Sequence, residues 1–130
     1  MKKAGTVLIY NCSGPQFSKM RQIFAMLRLL MRQVTPEKYE LTLTELANGT
    51  GEPLPEGGEP IAENMLVFCG VNGALLNQVL EILRLSKLPP IHLKAVMTAD
   101  NKDWTSKQLY EELCKERDSL AAQDAEKAQD

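Results

Sequence analysis

Aromatic side chains are scarce in this sequence of 130 residues, where three phenylalanines, three tyrosines and one tryptophan make up 5%. Single-stranded nucleic acid is held on sheets by aromatics that stack bases. Only Tyr10 and Phe68 fall on segments that read as central strands, and no basic glycine-aromatic motif accompanies them. Lys and Arg total 15 against 17 Asp and Glu, for a formal charge of −2 and a pI near 5.5. Such a balance gives no electrostatic reason to approach a phosphate backbone, so nucleic acid is not an expected partner. The three cysteines, Cys12, Cys69 and Cys114, lie far apart without a Cys-x-x-Cys pair. Neither a disulfide framework nor a zinc knuckle is indicated, and buried, reduced thiols are expected. His92 is the only histidine. A Cys–His nucleophile pair would therefore need one of the cysteines to meet it through the fold, and a solvated strand histidine is the simpler reading. No apolar run approaches the ~20 residues that span a bilayer, so no membrane role is expected. Behind the initial Met-Lys-Lys stands only a short apolar strand, too little for a secretory signal; a cytoplasmic location is expected.

What remains is an ordinary globular composition, 44% hydrophobic and 25% charged, at the length of one domain. Residues 1–118 read as a single α/β domain, and 119–130, small, charged and aperiodic, as a frayed tail. Thr6–Tyr10 is apolar and β-branched, and Asn11-Cys12-Ser13-Gly14-Pro15 breaks it with turn residues. Ser13 and Gln16 have capping-box spacing, so a first helix should begin there. Phe17, Met20, Ile23, Phe24, Leu27, Leu30, Met31 and Val34 follow at helical spacing, flanked by Met26 and Leu29, with Arg21, Arg28 and Arg32 on the polar side. The apolar arc is wider than one core contact requires, which predicts a homodimer interface. Pro36 ends this pattern, and Glu40–Thr44 alternates like an edge strand. Residues 47–62, rich in Gly, Pro and Glu, read as a long mobile loop.

The second half repeats the scheme. Met65–Cys69 is an unbroken apolar run closed by Gly70 and Gly73, and Leu75, Leu76, Val79, Leu80, Ile82 and Leu83 recur at helical spacing. After Pro89-Pro90, Ile91, Leu93, Ala95 and Met97 alternate with His92, Lys94, Val96 and Thr98. Thr105 and Gln108 form a capping-box pair and Trp104 and Leu109 a hydrophobic staple, opening a last helix. Two strand-helix-strand units in tandem, opened by doubly apolar strands and closed by alternating ones, predict an α+β, ferredoxin-like four-stranded sheet with a C-terminal helix. The alternative is an α/β open parallel sheet. Internal duplication is suggested. The open face of a ferredoxin-like sheet would need a cover, supplied by a dimer or by the last helix.

Gly70-Val71-Asn72-Gly73 resembles an anion cradle at a helix start, but lacks the third glycine and acidic residue of a dinucleotide site and the lysine of a phosphate loop. Asp100-Asn101-Lys102-Asp103 lacks the ligand spacing of a calcium loop, so no metal and no cofactor is expected. In the expected sheet, both turns fall on one edge. Cys69, Gly70, Asn72, Gly73, Thr98, Asp100, Asn101 and Trp104 therefore form the candidate ligand-binding set, with no catalytic residue assigned.

The combination Met65-Leu66-Val67-Phe68-Cys69-Gly70, Leu93-Lys94-Ala95-Val96-Met97-Thr98, Asn101 and Asp103-Trp104-Thr105 resembles a family of short bacterial proteins known only as a domain of unknown function, number 3783, mainly over residues 65–117. The resemblance implies a small bacterial protein and supplies no catalytic residues. The expected function is a non-enzymatic dimeric module that binds a partner protein or small ligand. The alternative is a thiol-dependent enzyme or binder centred on Cys69, whose thiolate a helix N-terminus would stabilise.

Overall fold

The computed structural model describes residues 5–12, 14–53, 61, 63–86, 88, 91 and 93–128, with side chains through Asp118. Strands β1 (Gly5–Tyr10), β2 (Leu29–Gln33), β3 (Met65–Cys69) and β4 (Leu93–Val96) form one sheet in the order β2-β1-β3-β4. The helices are α1 (Ser18–Met26), α2 (Leu43–Asn48), α3 (Gly73–Leu85) and α4 (Ser106–Ala128).

The α+β class, the tandem units and the central places of β1 and β3 are as the sequence leads one to expect. The strand order differs from the interleaved ferredoxin-like one. Here β2 pairs in parallel with β1, and β4 in parallel with β3, so each unit keeps its own two strands together and the units meet at the antiparallel β1–β3 seam. A right-handed crossover favours this direct pairing when no hairpin forces the units to interleave, and among the described residues between β2 and β3 stands the helix α2.

The first unit is also divided differently. The helix expected through Val34 stops at Met26, because Arg28 takes the left-handed conformation (φ 64°) and the chain turns directly into β2. Leu29 and Met31 then pack on one sheet face, while Val34 packs on the other. The apolar arc that suggested a dimer interface is a helix and a strand, each burying its own side. Glu40–Thr44 is not a strand: it leads into α2, whose Thr42–Glu45 capping box holds the first turn. The Ser13 cap, half of the 47–62 loop (54–60 and 62) and His92 lie outside the described residues.

Side-chain alternation along the central strands divides the core in two. Val7 and Ile9 of β1 and Leu66 and Phe68 of β3 face α1 and α3, where Phe24 and Phe68 meet edge to face at 6.2 Å. Leu8, Tyr10, Met65, Val67 and Cys69 face α2 and the start of α4. Each such fully buried large side chain contributes roughly 1.5–3 kcal/mol. Both sheet faces are thus covered within one chain, the second by α2 and α4, so no second subunit is needed to cover it. Helix α4 extends to Ala128, on a run of Ala, Gln, Glu and Lys with high helix propensity.

The two halves are related by a pseudo-two-fold axis. Asn11 and Gly70, at the exits of β1 and β3, have φ 61° and 69°. Val34 N–H donates to the Ile9 carbonyl and Met97 N–H to the Phe68 carbonyl, each at 2.9 Å. Thr42 with Glu45 and Thr105 with Gln108 cap α2 and α4 in the same way, and Thr42 and Thr105 bridge each other across the axis.

Candidate functional site

The sheet edge singled out by the sequence exists, because β3 and β4 run parallel as neighbours and end together. Its residues are engaged in holding the fold. Cys69 is 3% exposed, on the α2/α4 face; its thiol donates to the Val67 carbonyl at 3.9 Å, and burial pushes its pKa up to about 12. A thiolate stabilised at a helix mouth is the opposite of this environment. Asn72 caps α3 by accepting from Leu75 N–H at 2.8 Å. Gly70 supplies a left-handed turn, and Gly73 opens the helix with free space around its Cα.

The Thr98–Asn101 turn satisfies itself. Thr98 Oγ1 accepts from the Asp100 and Asn101 amides, while the Asn101 side chain accepts from Thr98 N–H at 2.7 Å and donates to the Val96 carbonyl at 3.1 Å. Trp104 is half-buried against the α2/α4 core, and its carbonyl accepts from Leu43 N–H at 2.9 Å. Among the described residues, no hydrogen bond joins the Gly70–Gly73 turn to the Thr98–Trp104 turn. Cys12 is likewise buried, with its thiol pKa raised by desolvation.

A cleft of ≈ 380 Å³ opens instead on the outer edge of the first unit, between β2, α2 and residues 49–53. Arg32 projects from β2 on the same sheet side as Leu8, with which it is in register. Its Nε donates to the Ala47 carbonyl at 3.2 Å, placing a positive charge at the C-terminal end of α2, where the exposed carbonyls favour it. Gly49, in the left-handed conformation (φ 71°), ends α2 against the guanidinium, and a Cβ there would stand 2.9 Å from Nη1. Nη1 and Nη2 have no hydrogen-bond partner among the described residues. Lys38 lines the same cleft and forms no salt bridge among them.

Glu45 is the one carboxylate among the described residues that line the cleft. Its Oε1 accepts from both the amide and the hydroxyl of Thr42, so half of it is committed to the helix cap. Among the described lining residues, two cations face one partly engaged anion, a net positive balance. Sequence reading passes over this site because Arg32 looks like the solvated side of a long helix. The sign that could have revealed it is Gly49-Thr50-Gly51 after a capped short helix. No cluster of His, Cys, Asp and Glu among the described residues could hold a metal ion, and no helix among them is long and apolar enough to cross a membrane.

No curated protein and no solved structure matches the chain. Residues 64–120, the span from the start of β3 into α4 and so the second of the two units, match the model of the family described as Domain of unknown function (DUF3783).

Proposed function

We propose that the protein is a non-enzymatic module that binds a small ligand. The cleft beside Arg32 carries this reading: its volume of ≈ 380 Å³ lies in the range of small-molecule sites, and it presents charged donors that no described residue engages. The nucleophiles that would favour a thiol enzyme, Cys12 and Cys69, are buried with raised pKa values and are not poised to attack. The reading includes a bacterial, cytoplasmic setting, supported by the sequence resemblance and by three free cysteines.

Thermal denaturation against a library of metabolites tests it. A ligand at a hundred times its Kd stabilises the folded state by about 2.7 kcal/mol, a rise in Tm on the order of 10 °C. The reading fails if no compound raises Tm, or if a bound compound is turned over.

A further inference from the structure

We infer that the cleft of the first unit is an anion-binding site, taking a ligand with a carboxylate or phosphate group, and that the two halves of a duplicated fold have diverged to place it there alone. The inference rests on the small-ligand reading above and adds the ligand's charge and the residues that hold it.

The pseudo-two-fold axis supplies an internal control. Counting back from the equivalent strand-end residues Val34 and Met97, Arg32 corresponds to Ala95. Counting from the bridged caps Thr42 and Thr105, Lys38 corresponds to Asn101, Leu41 to Trp104, Glu45 to Gln108 and Gly49 to Glu112. The place equivalent to the cleft is a recess lined by Trp104, Gln108, Glu111 and Glu112. It therefore has an aromatic ring where the first unit has Leu41, no cation in place of Arg32 or Lys38, and two carboxylates. Glu112 is paired with Lys115 at 3.5 Å, and Ala95 and Asn101 put no cation at the equivalent positions, so the fold itself does not require Arg32 and Lys38 there.

The geometry within the first unit suits an anion. Among the described residues Arg32 is oriented by one bond, from Nε to Ala47, and none of them engages its Nη pair, which can make the two parallel bonds that carboxylate and phosphate accept. Gly49 lets the guanidinium lie against the backbone, and Lys38 adds a second charge from the turn after β2. The site lies in residues 31–53, outside the 64–120 segment of the family match.

The test is a 1H–15N NMR titration of the full-length protein with inorganic phosphate and, in a separate arm, with succinate. The expected result is a saturable shift of the Arg32 Nε–H and of the amides of Gly49, Thr50 and Gly51 with at least one anion, weakening as chloride is raised. The arm with the lower Kd identifies phosphate or carboxylate as the preferred group. Lys38→Gln should weaken binding by about tenfold, the loss of one charge-assisted contact. Leu41→Trp, which copies the second unit's residue into the first, should reduce it further by filling the cleft. Neither variant touches the Arg32–Ala47 bond, so both keep the helix cap that Arg32→Gln would break. Shifts absent from these residues with both anions, or affinities unchanged in both variants, overturn the inference. If a library compound still raises Tm in that case, the small-ligand reading survives alone; if none does, both fall.

Discussion

The hydroxyls of Tyr10 and Ser106 lie 2.6 Å apart with both residues fully buried, joining the end of β1 to the first turn of α4 across 96 positions of sequence. Ser106 is the one buried polar residue among those described, and no buried side-chain polar atom among them lacks a partner. The bond fixes where α4 begins on the sheet, and the Glu63–Arg117 salt bridge at 2.6 Å holds the same helix three turns later.

Removing one hydroxyl of that pair strands the other in an apolar interior. Tyr10→Phe and Ser106→Ala should each destabilise the protein by about 1–3 kcal/mol, and the double variant by less than the sum of the two. Urea denaturation of the four proteins in the cycle measures this. Strict additivity would show that the hydroxyls do not interact.

The buried thiol of Cys69 makes stability depend on alkaline pH. Burial raises its folded pKa to about 12, above the ordinary thiol value of 9.0. Above pH 9 the unfolded chain releases the proton while the folded chain keeps it, so stability is full below that pH and declines as pH rises toward 12. Tyr10, whose pKa burial also raises, adds to the decline at the upper end. Cys69→Ala should be less stable at neutral pH through the cavity it leaves, yet show a shallower loss between pH 9 and 12. In native protein at pH 8, alkylation of Cys69 should be far slower than in urea; equal rates would contradict its burial.

Thr42 and Thr105 cap their helices and meet at the pseudo-two-fold axis, so each has two structural roles. Thr42→Ala and Thr105→Ala should each cost about 1 kcal/mol for the lost cap. Since the bridged residues are in contact, the double variant should depart from additivity, which chemical denaturation can resolve. An additive pair would mean that the two caps work independently of the axis.

How far the sequence revealed the fold depended on whether each local decision was made by side chains or by tertiary context. The Thr105–Gln108 box, the apolar runs of β1 and β3 and the α3 periodicity are written in residue types, and each is found in place. Asn72 is a different case: a residue that suits both a cap and a ligand role is decided by what lies three residues on, and Leu75 N–H takes it. Cys69 reads as lying at a helix mouth because it precedes one, but strand alternation turns it under α2 and α4. The cleft was hidden for a related reason. Arg32 and Gly49 meet only because the chain leaves α1 early and comes back along β2, and the residue that causes this has no turn-forming character.

That residue is Arg28, and it yields the last prediction. An L-residue in the left-handed region costs roughly 1–2 kcal/mol that glycine does not incur, and Arg28 sits there at φ 64° with its side chain exposed. Its amide donates to the Ala25 carbonyl at 3.0 Å, a bond any residue would keep. Arg28→Gly should therefore relieve the strain while adding unfolded-state entropy, for a net gain of up to about 1 kcal/mol. Arg28→Val should lose stability, because a β-branched side chain tolerates this conformation poorly. Thermal and urea denaturation of both variants measure the pair. If Arg28→Gly destabilised the protein and Arg28→Val did not, the chain would not turn at Arg28, and a helix continuing into Val34 would have to be reconsidered together with β2 and the cleft beside it.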